Sequence, residues 1–405
     1  MIFRIALRNV LRQKRRSILT ALTMVGGFAL ASVSIAWQDG AYNDIIGEFT
    51  RTRLGHIQIH EKGYRDRPKL EHAVARVDEV GRVLDAQPRV RGWAPRVLAA
   101  GLAAVGEKSA GVSILGIDPA RENAATDFDT RVAEGGPLPR EAGRYQALLG
   151  RGVARRLHAS VGDELVIISQ AADGSLANDL YTIAGVVESG DNATDQSTVW
   201  MHVADAQELF VLPNRVHEIA VVADGLKGLF RLADDITAAL DRSDLVVEPW
   251  QVFAKSFYEA MKTDQEGNWI GNLIIMLVVA VGVLNTVLMS VLERTREYGL
   301  LRALGTRPRR VFALVITETA ILAVISVVVG AVIALGANYW LSLHGVSLPE
   351  ELSFQGVEFK TMYAEINVRS FVVPAIVVIF VATFVSTFPA LRAARTAPAS
   401  AMRSV

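Results

Sequence analysis

Four long apolar segments decide what this chain can fold into. Residues 17–37, 269–292, 311–343 and 371–391 are each 21 or more residues long, and Glu318 is the one charged residue among them. A helix of about 20 apolar residues crosses a bilayer core of ~30 Å. Each segment is therefore long enough to span a membrane, and the sequence predicts an α-helical membrane protein with four transmembrane helices.

The first segment shares one feature with a secretory signal peptide, because Ser34 and Ala36 place small residues just before Trp37. Two other features favour a retained helix. The charged stretch of residues 1–16 is long, and the apolar run exceeds the roughly 7–15 residues of a signal peptide. We therefore expect an uncleaved first span.

The formal net charge is zero, with 42 basic and 42 acidic side chains, but the charges are unevenly placed. Residues 1–16, 293–310 and 392–405 hold 15 basic and 2 acidic side chains, whereas residues 38–268 hold 25 basic and 35 acidic ones. Short loops rich in Lys and Arg stay in the cytoplasm. We therefore expect cytoplasmic termini, with residues 38–268 and 344–370 outside. The neutral balance also disfavours a nucleic-acid partner, which would need a basic footprint.

Residues 1–16 predict a cytoplasmic amphipathic helix. The apolar residues on one face and the arginines on the other are Ile2, Phe3, Ala6, Leu7, Val10 and Leu11 against Arg4, Arg8, Arg12 and Arg15. Such a helix lies along anionic lipid headgroups, so membrane lipid is an expected partner. A simpler interpretation is a positively charged anchor for the first span.

Residues 38–268 show the mixed pattern of a water-soluble α+β domain. Alternating apolar residues predict strands, and apolar residues three or four apart predict helices. The predicted strands are 54–60, 96–105, 111–117, 181–188 and 198–202. A strand running into a helix is predicted over 147–157, and a turn followed by a strand over 161–169. The predicted helices are 204–212, 229–240 and 253–262.

The chain lacks the sequence features of a catalyst. It has no cysteine, which excludes disulfides, thiolate metal sites and thiol chemistry. It also lacks G-x-x-x-x-G-K-[ST], H-E-x-x-H and G-x-S-x-G, so we expect no catalytic residues and no ATP hydrolysis through a phosphate loop. His56 and His60 would lie about 13 Å apart on a strand, too far to share one metal ion. We expect both to be surface residues and expect no metal site.

Residues 293–310 connect the second and third spans. Thr295 is predicted to cap a short helix over 298–304 with leucines on one side, and Gly305 to end it before Pro308. A short amphipathic helix of this kind is typical of a segment that docks into a groove of a partner protein. The alternative is an ordinary surface loop.

The third span contains one acid and a series of small residues. Glu318 is seven residues into the span, about 10 Å from its start, and an acid at this depth faces protein rather than lipid. Pairing with Arg309 or Arg310 is favoured over a proton relay. The small residues at four-residue spacing are Ser326, Gly330 and Ala334. They suit close packing against a neighbouring span or a second membrane subunit; the alternative is that they face lipid.

Several stretches of the sequence resemble one family. Residues 285–306 read NTVLMSVLERTREYGLLRALGT, and this stretch is similar to the pattern N-T-hydrophobic-x-M-S-V-x-E-R-x-R-E-I-G-L-x-R-A-L-G-A of FtsX-like, MacB-type ABC transporter permeases. It departs from that pattern at Tyr298 and Thr306 only. The other similar stretches are residues 7–17 at the start, 149–163 in the outer domain and 389–403 at the end. The resemblance therefore covers both ends, the middle loop and part of the outer domain.

The resemblance implies a permease subunit of the inner membrane with a MacB-type periplasmic domain. It would pair with a second permease, as a homodimer or heterodimer, and with two copies of a separate ATPase. ATP and Mg would bind to that ATPase, and no cofactor to this chain. The residues that the family uses to couple to the ATPase would be Glu293, Arg294, Arg296, Glu297 and Gly305. Glu297 would lie nearest the ATPase, with Arg294 or Arg296 as its ion-pair neighbour; the alternative is a solvated surface acid.

Length, span order and the start of the outer domain at residues 55–59 look most like the lipoprotein-releasing branch of the family. The expected function is therefore release of lipoproteins from the inner membrane. A cavity for acyl chains is expected at Met24, Phe28, Ile275 and Leu284. The alternative is a mechanotransmission permease that drives periplasmic efflux through an adaptor or regulates cell-wall hydrolases. A signalling receptor or membrane-anchored enzyme is disfavoured, because the sequence has no catalytic constellation and no effector domain.

Overall fold

The computed structural model describes residues 2–12, 14–50, 54–354 and 357–395. The chain divides into two compact units. The membrane unit comprises Met1–Asp44, Met261–Leu348 and Thr361–Val405. The α/β unit comprises Ile45–Ala260 and Pro349–Lys360.

Helices account for most of the membrane unit and surround the sheet of the α/β unit. In chain order they are α1 (Ile2–Arg12), α2 (Lys14–Phe49), α3 (Val77–Asp85), α4 (Pro119–Thr126), α5 (Arg151–Leu157), α6 (Asn192–Ser197), α7 (Val203–Leu209), α8 (Leu229–Leu240), α9 (Trp250–Phe253), α10 (Lys255–Glu293), α11 (Thr295–Ala303), α12 (Pro308–His344), α13 (Arg369–Val385) and α14 (Thr387–Ala394). A short 3₁₀ helix covers Phe128–Arg131.

The strands lie mainly between the first and second spans. In chain order they are β1 (Ile57–Glu61), β2 (Val74–Ala75), β3 (Val90–Val105), β4 (Lys108–Ile117), β5 (Val132–Gly135), β6 (Gln146–Gly150), β7 (Glu164–Gln170), β8 (Leu176–Val187), β9 (Thr198–His202), β10 (Arg215–Val216), β11 (Glu218–Ala223), β12 (Leu245–Pro249), β13 (Val346–Phe354) and β14 (Val357–Met362).

The four predicted transmembrane helices are confirmed. The segments that are long and apolar enough to cross a bilayer are Ser17–Phe49, Lys255–Glu293, Pro308–His344 and Arg369–Ala394. At 1.5 Å per residue, the 36 residues of α2 and the 39 of α10 are far longer than a bilayer core is thick. Both helices therefore extend well beyond the apolar segments that predicted them.

Close approach between helices holds the membrane unit together. Its buried core draws Met24 and Phe28 from α2, Val283 from α10, Ala323 from α12 and Val378 from α13. Without a hydrophobic force between helices in lipid, small residues that let backbones approach become important. A Cβ added to Gly27 of α2 would lie 2.0 Å from the Cγ2 atom of Val279 on α10, so the backbone at this crossing has no room for a side chain.

A ten-stranded mixed sheet forms the centre of the described α/β unit. Its strand order is β12-β1-β11-β3-β4-β9-β6-β8-β5, with β7 pairing with both β3 and β8. The β4/β9 and β6/β8 pairs are parallel and the other pairs are antiparallel. The strand-rich domain with helices on its faces confirms the predicted mixture of strands and helices.

Several predicted elements agree closely with the structure, and others differ in where they begin or end. The predicted strand 198–202 and helix 229–240 coincide with β9 and α8. Strand β1 begins three residues later than predicted, because Gly55 has φ +80° and donates its N–H to the Thr50 carbonyl before the strand starts. The predicted helix 253–262 is divided at Ala254, which separates α9 from α10.

The prediction that His56 and His60 lie on the surface is wrong. They are 5% and 4% exposed, because β1 is the second strand of the sheet and is paired on both sides by β12 and β11. The Nδ1 atom of His56 accepts the N–H of Ala223, and His60 Nδ1 lies 2.9 Å from the His217 carbonyl oxygen. The two rings therefore serve the packing and hydrogen bonding of the sheet.

A buried charge cluster links the sheet to α4. Arg96 on β3 lies 2.6 Å from Glu122 on α4 and 2.9 Å from Glu218 on β11. Burial disfavours the charged guanidinium, but the two carboxylates outweigh this cost and raise the pKa of Arg96. The arginine therefore stays charged and joins three elements at one point.

Candidate functional site

A single residue breaks the helix between the second span and the loop that follows it. Helix α10 ends at Glu293, Arg294 has φ −99° and ψ 14°, and α11 begins at Thr295. The hydroxyl of Thr295 donates to the carbonyl oxygens of Val291 at 3.2 Å and Leu292 at 2.7 Å. The prediction that Thr295 caps the N-terminus of α11 is therefore wrong, because its hydroxyl bonds to carbonyl oxygens at the C-terminal end of α10.

The predicted end of α11 is confirmed. Gly305 has φ +87°, a left-handed conformation that favours glycine, and its N–H donates to the Arg302 carbonyl. The N–H of Thr306 reaches the Leu301 carbonyl at 3.0 Å, and Pro308 is the first residue of α12. Two short turns therefore hold α11 between two long helices.

The residues proposed to couple to an ATPase divide into an exposed set and one buried residue. The exposed ones are Glu293, Arg296, Glu297 and Gly305. Two apolar side chains join them, since Leu300 is 55% and Leu304 is 76% exposed. Arg294, in contrast, is only 7% exposed. The outer surface of α11 thus combines charge with two leucines four residues apart, whereas Arg294 points into the protein.

Arg294 is the centre of a polar network. Its Nε donates to Glu297 at 2.8 Å, and its Nη1 donates to Glu318 of the third span at 2.9 Å. The guanidinium carbon lies 5.2 Å from the centre of the Tyr298 ring, within cation–π range. The second carboxylate oxygen of Glu318 accepts the side-chain N–H of Asn9 at 2.6 Å. The network therefore joins α1, the α10–α11 junction and α12.

This arrangement corrects the predicted partner of Glu318. The predicted pairing with Arg309 or Arg310 is not what the structure shows, and both arginines are exposed. Their side chains leave the first turn of α12 about two helical turns before Glu318, and the break after α10 brings Arg294 beside the acid instead. Beside the pair is a small cavity of about 40 Å³. Hydroxyl side chains in its lining are Ser17, Thr20, Thr286, Ser290 and Thr319.

All three small residues of α12 are buried, and Gly330 packs against the first span of the same chain. Ser326 and Ala334 are fully buried, and a Cβ added to Gly330 would lie 2.8 Å from the Phe28 ring. The small residues were expected to pack on a neighbouring span or on a second membrane subunit, and at Gly330 the structure shows a neighbouring span. The three residues do not face lipid.

The four residues expected to line an acyl-chain cavity do not form one in this chain. Met24 and Phe28 are fully buried in the core of the membrane unit, and Ile275 and Leu284 are half-buried on α10. An apolar cleft of about 590 Å³ does lie against the spans. Its lining comes from other residues of three helices. They are Ala31 and Ile35 of α2, Trp269, Asn272, Leu273, Met276, Leu277 and Ala280 of α10, and Val373, Pro374, Val377, Phe380, Val381, Phe384 and Val385 of α13.

The sequence analysis assigned no role to Asn9, and it placed Arg294 or Arg296 beside Glu297 rather than beside Glu318. A buried acid in an apolar helix does signal that a cation must be near. The signal could not select Arg294, because six arginines lie in residues 293–310 and only the helix break at residue 294 decides which one turns inward.

Within the described ranges, no group of three or more His, Asp or Glu side chains is arranged to hold a metal ion. The polar network around Arg294 consists of ion pairs and an amide hydrogen bond that join α1, the α10–α11 junction and α12.

Four candidate spans, with a large α/β unit inserted between the first and the second, define a multi-pass membrane protein. The chain belongs to the family of the MacB-like periplasmic core domain. Residues 17–239 match the family model of the MacB-like periplasmic core domain, and residues 269–398 match that of the FtsX-like permease C-terminal region.

Two relatives show the range of proteins that this chain resembles. It is 23% identical to the lipoprotein-releasing system transmembrane protein LolC of Neisseria meningitidis, over 98% of both chains. It is 24% identical to the pyoverdine export ATP-binding/permease protein PvdT of Pseudomonas savastanoi, over 96% of this chain and 57% of that one. The crystal structure of the periplasmic region of MacB from Actinobacillus actinomycetemcomitans aligns with 51% of this chain at 14% identity and a TM-score of 0.38. The family assignment rests on the family models.

Proposed function

We propose that this chain is the permease subunit of an ABC transporter that releases lipoproteins from the inner membrane. ATP hydrolysis by a separate ATPase would move the α/β unit on the periplasmic side. The match to LolC supports this branch, because it covers nearly the whole length of both chains. PvdT, an ATP-binding/permease protein, is matched over little more than half its length.

The coupling proposal rests on one observation: several side chains of α11 are exposed to a partner, whereas Arg294 at its start is buried. The charged residues and Leu300 and Leu304 face outward, as a helix that docks in a groove requires. Arg294 instead anchors α11 to the third span through Glu318. A displacement of α11 would therefore move α12 and α10 as well, instead of being taken up by a flexible loop.

The partners follow from this arrangement. Two ATPase copies, carrying ATP and Mg, would each receive one α11, and a second permease would complete the membrane assembly. Glu297 would be the exposed acid that the ATPase contacts, since its side chain is 61% exposed while it holds Arg294. Ile275 and Leu284, half-buried on α10, remain proposed contacts for an acyl chain, whereas the enclosed Met24 and Phe28 are withdrawn from that role.

The test reconstitutes the chain with its second permease and its ATPase in proteoliposomes that contain a triacylated lipoprotein. We expect ATP to transfer the lipoprotein to a soluble acceptor. Efflux through a periplasmic adaptor is the alternative function, and the near-complete coverage of this chain by PvdT is the observation that favours it. Release that does not depend on ATP, together with ATPase stimulation by an adaptor protein, would replace our proposal with the alternative.

The coupling residue is tested by Glu297→Lys. The reversed charge should repel the ATPase groove and lower the stimulation of ATP hydrolysis by substrate tenfold or more, because loss of a desolvated charge contact costs about 2–5 kcal/mol and about 1.4 kcal/mol is a factor of ten. Glu141→Lys is the matched control, because Glu141 is an exposed acid of the α/β unit and the charge change is the same. Equal stimulation in the two variants would show that Glu297 is only a solvated acid.

A further inference from the structure

We propose that α1 is a binding site for anionic phospholipid headgroups, and that its occupancy is passed to α11 through the side chains of Asn9, Glu318 and Arg294. The link between α1 and α11 is independent of the proposed function. Its consequence for ATP hydrolysis rests on that function.

Helix α1 has a face packed against protein and a face open to its surroundings. Ala6 and Val10 are buried where α1 packs on α12. The exposed side chains are Arg4, Arg8 and Arg12 together with Phe3, Ile5 and Leu11. Phe3 and Leu11 lie between the arginines and the buried stripe. Since 100° separates successive residues, the three arginines point away from the two buried ones.

This pattern fits a lipid surface. Basic side chains near an anionic bilayer each contribute about 1 kcal/mol, and apolar neighbours enter the boundary between headgroups and acyl chains. Phe3 and Leu11, 60% and 62% exposed, are placed to do so. Helix α1 is followed after one residue by α2, the first span, so it is tethered at the membrane surface. The tether favours lipid over a soluble acidic partner.

The connection from α1 to α11 is continuous and short. The amide of Asn9 donates to one oxygen of Glu318 at 2.6 Å, and Arg294 donates to the other at 2.9 Å. Arg294 also holds Glu297 at 2.8 Å. The side chains of Arg294 and Glu318 are 8% and 12% exposed, so water screens their attraction weakly. A shift of α1 by an ångström or more would break the Asn9 bond and change the position of the carboxylate.

Lipid binding would therefore set how firmly α11 is held. With α1 fixed on anionic headgroups, Asn9 keeps Glu318 turned toward Arg294 and α11 stays in place. With α1 released, the network loses one of its three connections. Networks of packed polar groups carry couplings of about 0.5–2 kcal/mol, which corresponds to changes on the order of threefold or more in local opening.

The experiment measures hydrogen exchange in residues 295–303 of the full chain, without an ATPase, in nanodiscs. The lipid is either phosphatidylcholine alone or phosphatidylcholine with phosphatidylglycerol. We expect exchange in α11 to be about threefold slower in the anionic nanodiscs, and high salt to remove most of the difference. Inorganic phosphate added to neutral nanodiscs should have no effect, which separates a lipid headgroup from free phosphate.

Two sets of variants separate lipid binding from its transmission. The triple change of Arg4, Arg8 and Arg12 to Gln should abolish the response. The triple change of Arg307, Arg309 and Arg310 to Gln removes the same charge from another exposed cytoplasmic segment and should leave it intact. If both triple variants lose the lipid response of α11, the response reflects a general attraction between the basic side of the protein and anionic lipid. That result would overturn a specific site on α1.

Transmission is tested at Asn9. Asn9→Asp places two carboxylates together and should abolish the response, whereas the pair Asn9→Asp with Glu318→Gln exchanges donor and acceptor and should restore it. A fluorophore at Phe3→Cys, in a chain without other cysteines, reports whether α1 still binds anionic lipid. Binding with a normal α11 response in Asn9→Asp overturns the relay, as does an absent response in the unaltered chain. Failure of ATP-driven lipoprotein release would instead count against the proposed function alone.

Discussion

At the scale of single residues, Arg294 shows how one backbone break assigns a role. It belongs to a run of arginines that sequence patterns treat alike, yet it is the one that turns inward to Glu318. Burying an ion pair costs desolvation that the mutual attraction barely offsets. The pair therefore contributes position rather than much net stability, and this distinction can be measured.

Removing one partner of the pair should cost more than removing both. Arg294→Met or Glu318→Leu alone leaves a buried charge without its partner, which costs about 3–5 kcal/mol of unfolding free energy. The double variant should recover most of that loss. Reversible unfolding of the purified chain in mixed micelles, titrated with a denaturing detergent, gives the four values of the cycle. Strictly additive losses would contradict a direct pair.

His217 should make the α/β unit sensitive to acid. Its Nδ1 accepts the Leu98 N–H and its Nε2 faces the Leu70 carbonyl, so the neutral ring satisfies both partners. Burial lowers the pKa of His217 from its ordinary 6.5, and the nearby His60 lowers it further. The folded unit then binds fewer protons than the unfolded chain, so its stability is complete above about pH 6.5 and falls as the pH drops toward the lowered pKa.

This pH dependence is checked by hydrogen exchange in β3 and β11 of the full chain at pH 7.5 and pH 5, corrected for intrinsic rates. We expect hydrogen exchange in these strands of the unaltered chain to be faster at pH 5 than at pH 7.5. In His217→Gln, an amide can accept from Leu98 and donate to Leu70 without titrating, so the acid effect should be smaller. An equal acid effect in both chains would move the cause to another group.

At the scale of elements, apolar length predicted the four spans, and alternation predicted most strands of the sheet. These signals are local, since they depend on the solvent that each face meets. The misplaced features depend on partners distant in sequence. Thr295 and Glu318 could be assigned only once the break at Arg294 was known, and the burial of His56 followed from pairing with β11.

The crossing of α2 and α10 offers a matched test of helix packing. A Cβ on Gly27 would overlap Val279, whereas a Cβ on the adjacent Gly26 meets nothing within 4 Å. Gly27→Ala should therefore lower the stability of the membrane unit by about 1–3 kcal/mol, the usual cost of overpacking. Gly26→Ala should be neutral or slightly stabilising, because alanine favours a helix. Both are read from the unfolding midpoint in detergent, and equal midpoints would contradict the close crossing.

At the scale of the whole molecule, neutrality hides a separation of charge. The segments 1–16, 293–310 and 392–405 are strongly basic, while residues 38–268 carry ten more acids than bases. The basic segments precede the first span, join the second span to the third, and follow the fourth. One orientation of the four spans therefore places all three segments on the same side of the membrane. The positive-inside rule predicts that this side is cytoplasmic.

Because the chain has no cysteine, its orientation in the membrane can be tested by labelling single introduced cysteines. Asp173→Cys lies in an exposed turn of the α/β unit, and Leu304→Cys is 76% exposed after α11. A membrane-impermeant maleimide should label residue 173 in intact inner-membrane spheroplasts and residue 304 only after the membrane is opened. Both sites are exposed, so access to the reagent decides the result rather than burial. Labelling of residue 304 in intact spheroplasts would place α11 out of reach of any cytoplasmic ATPase, and the coupling proposal would fall with the topology.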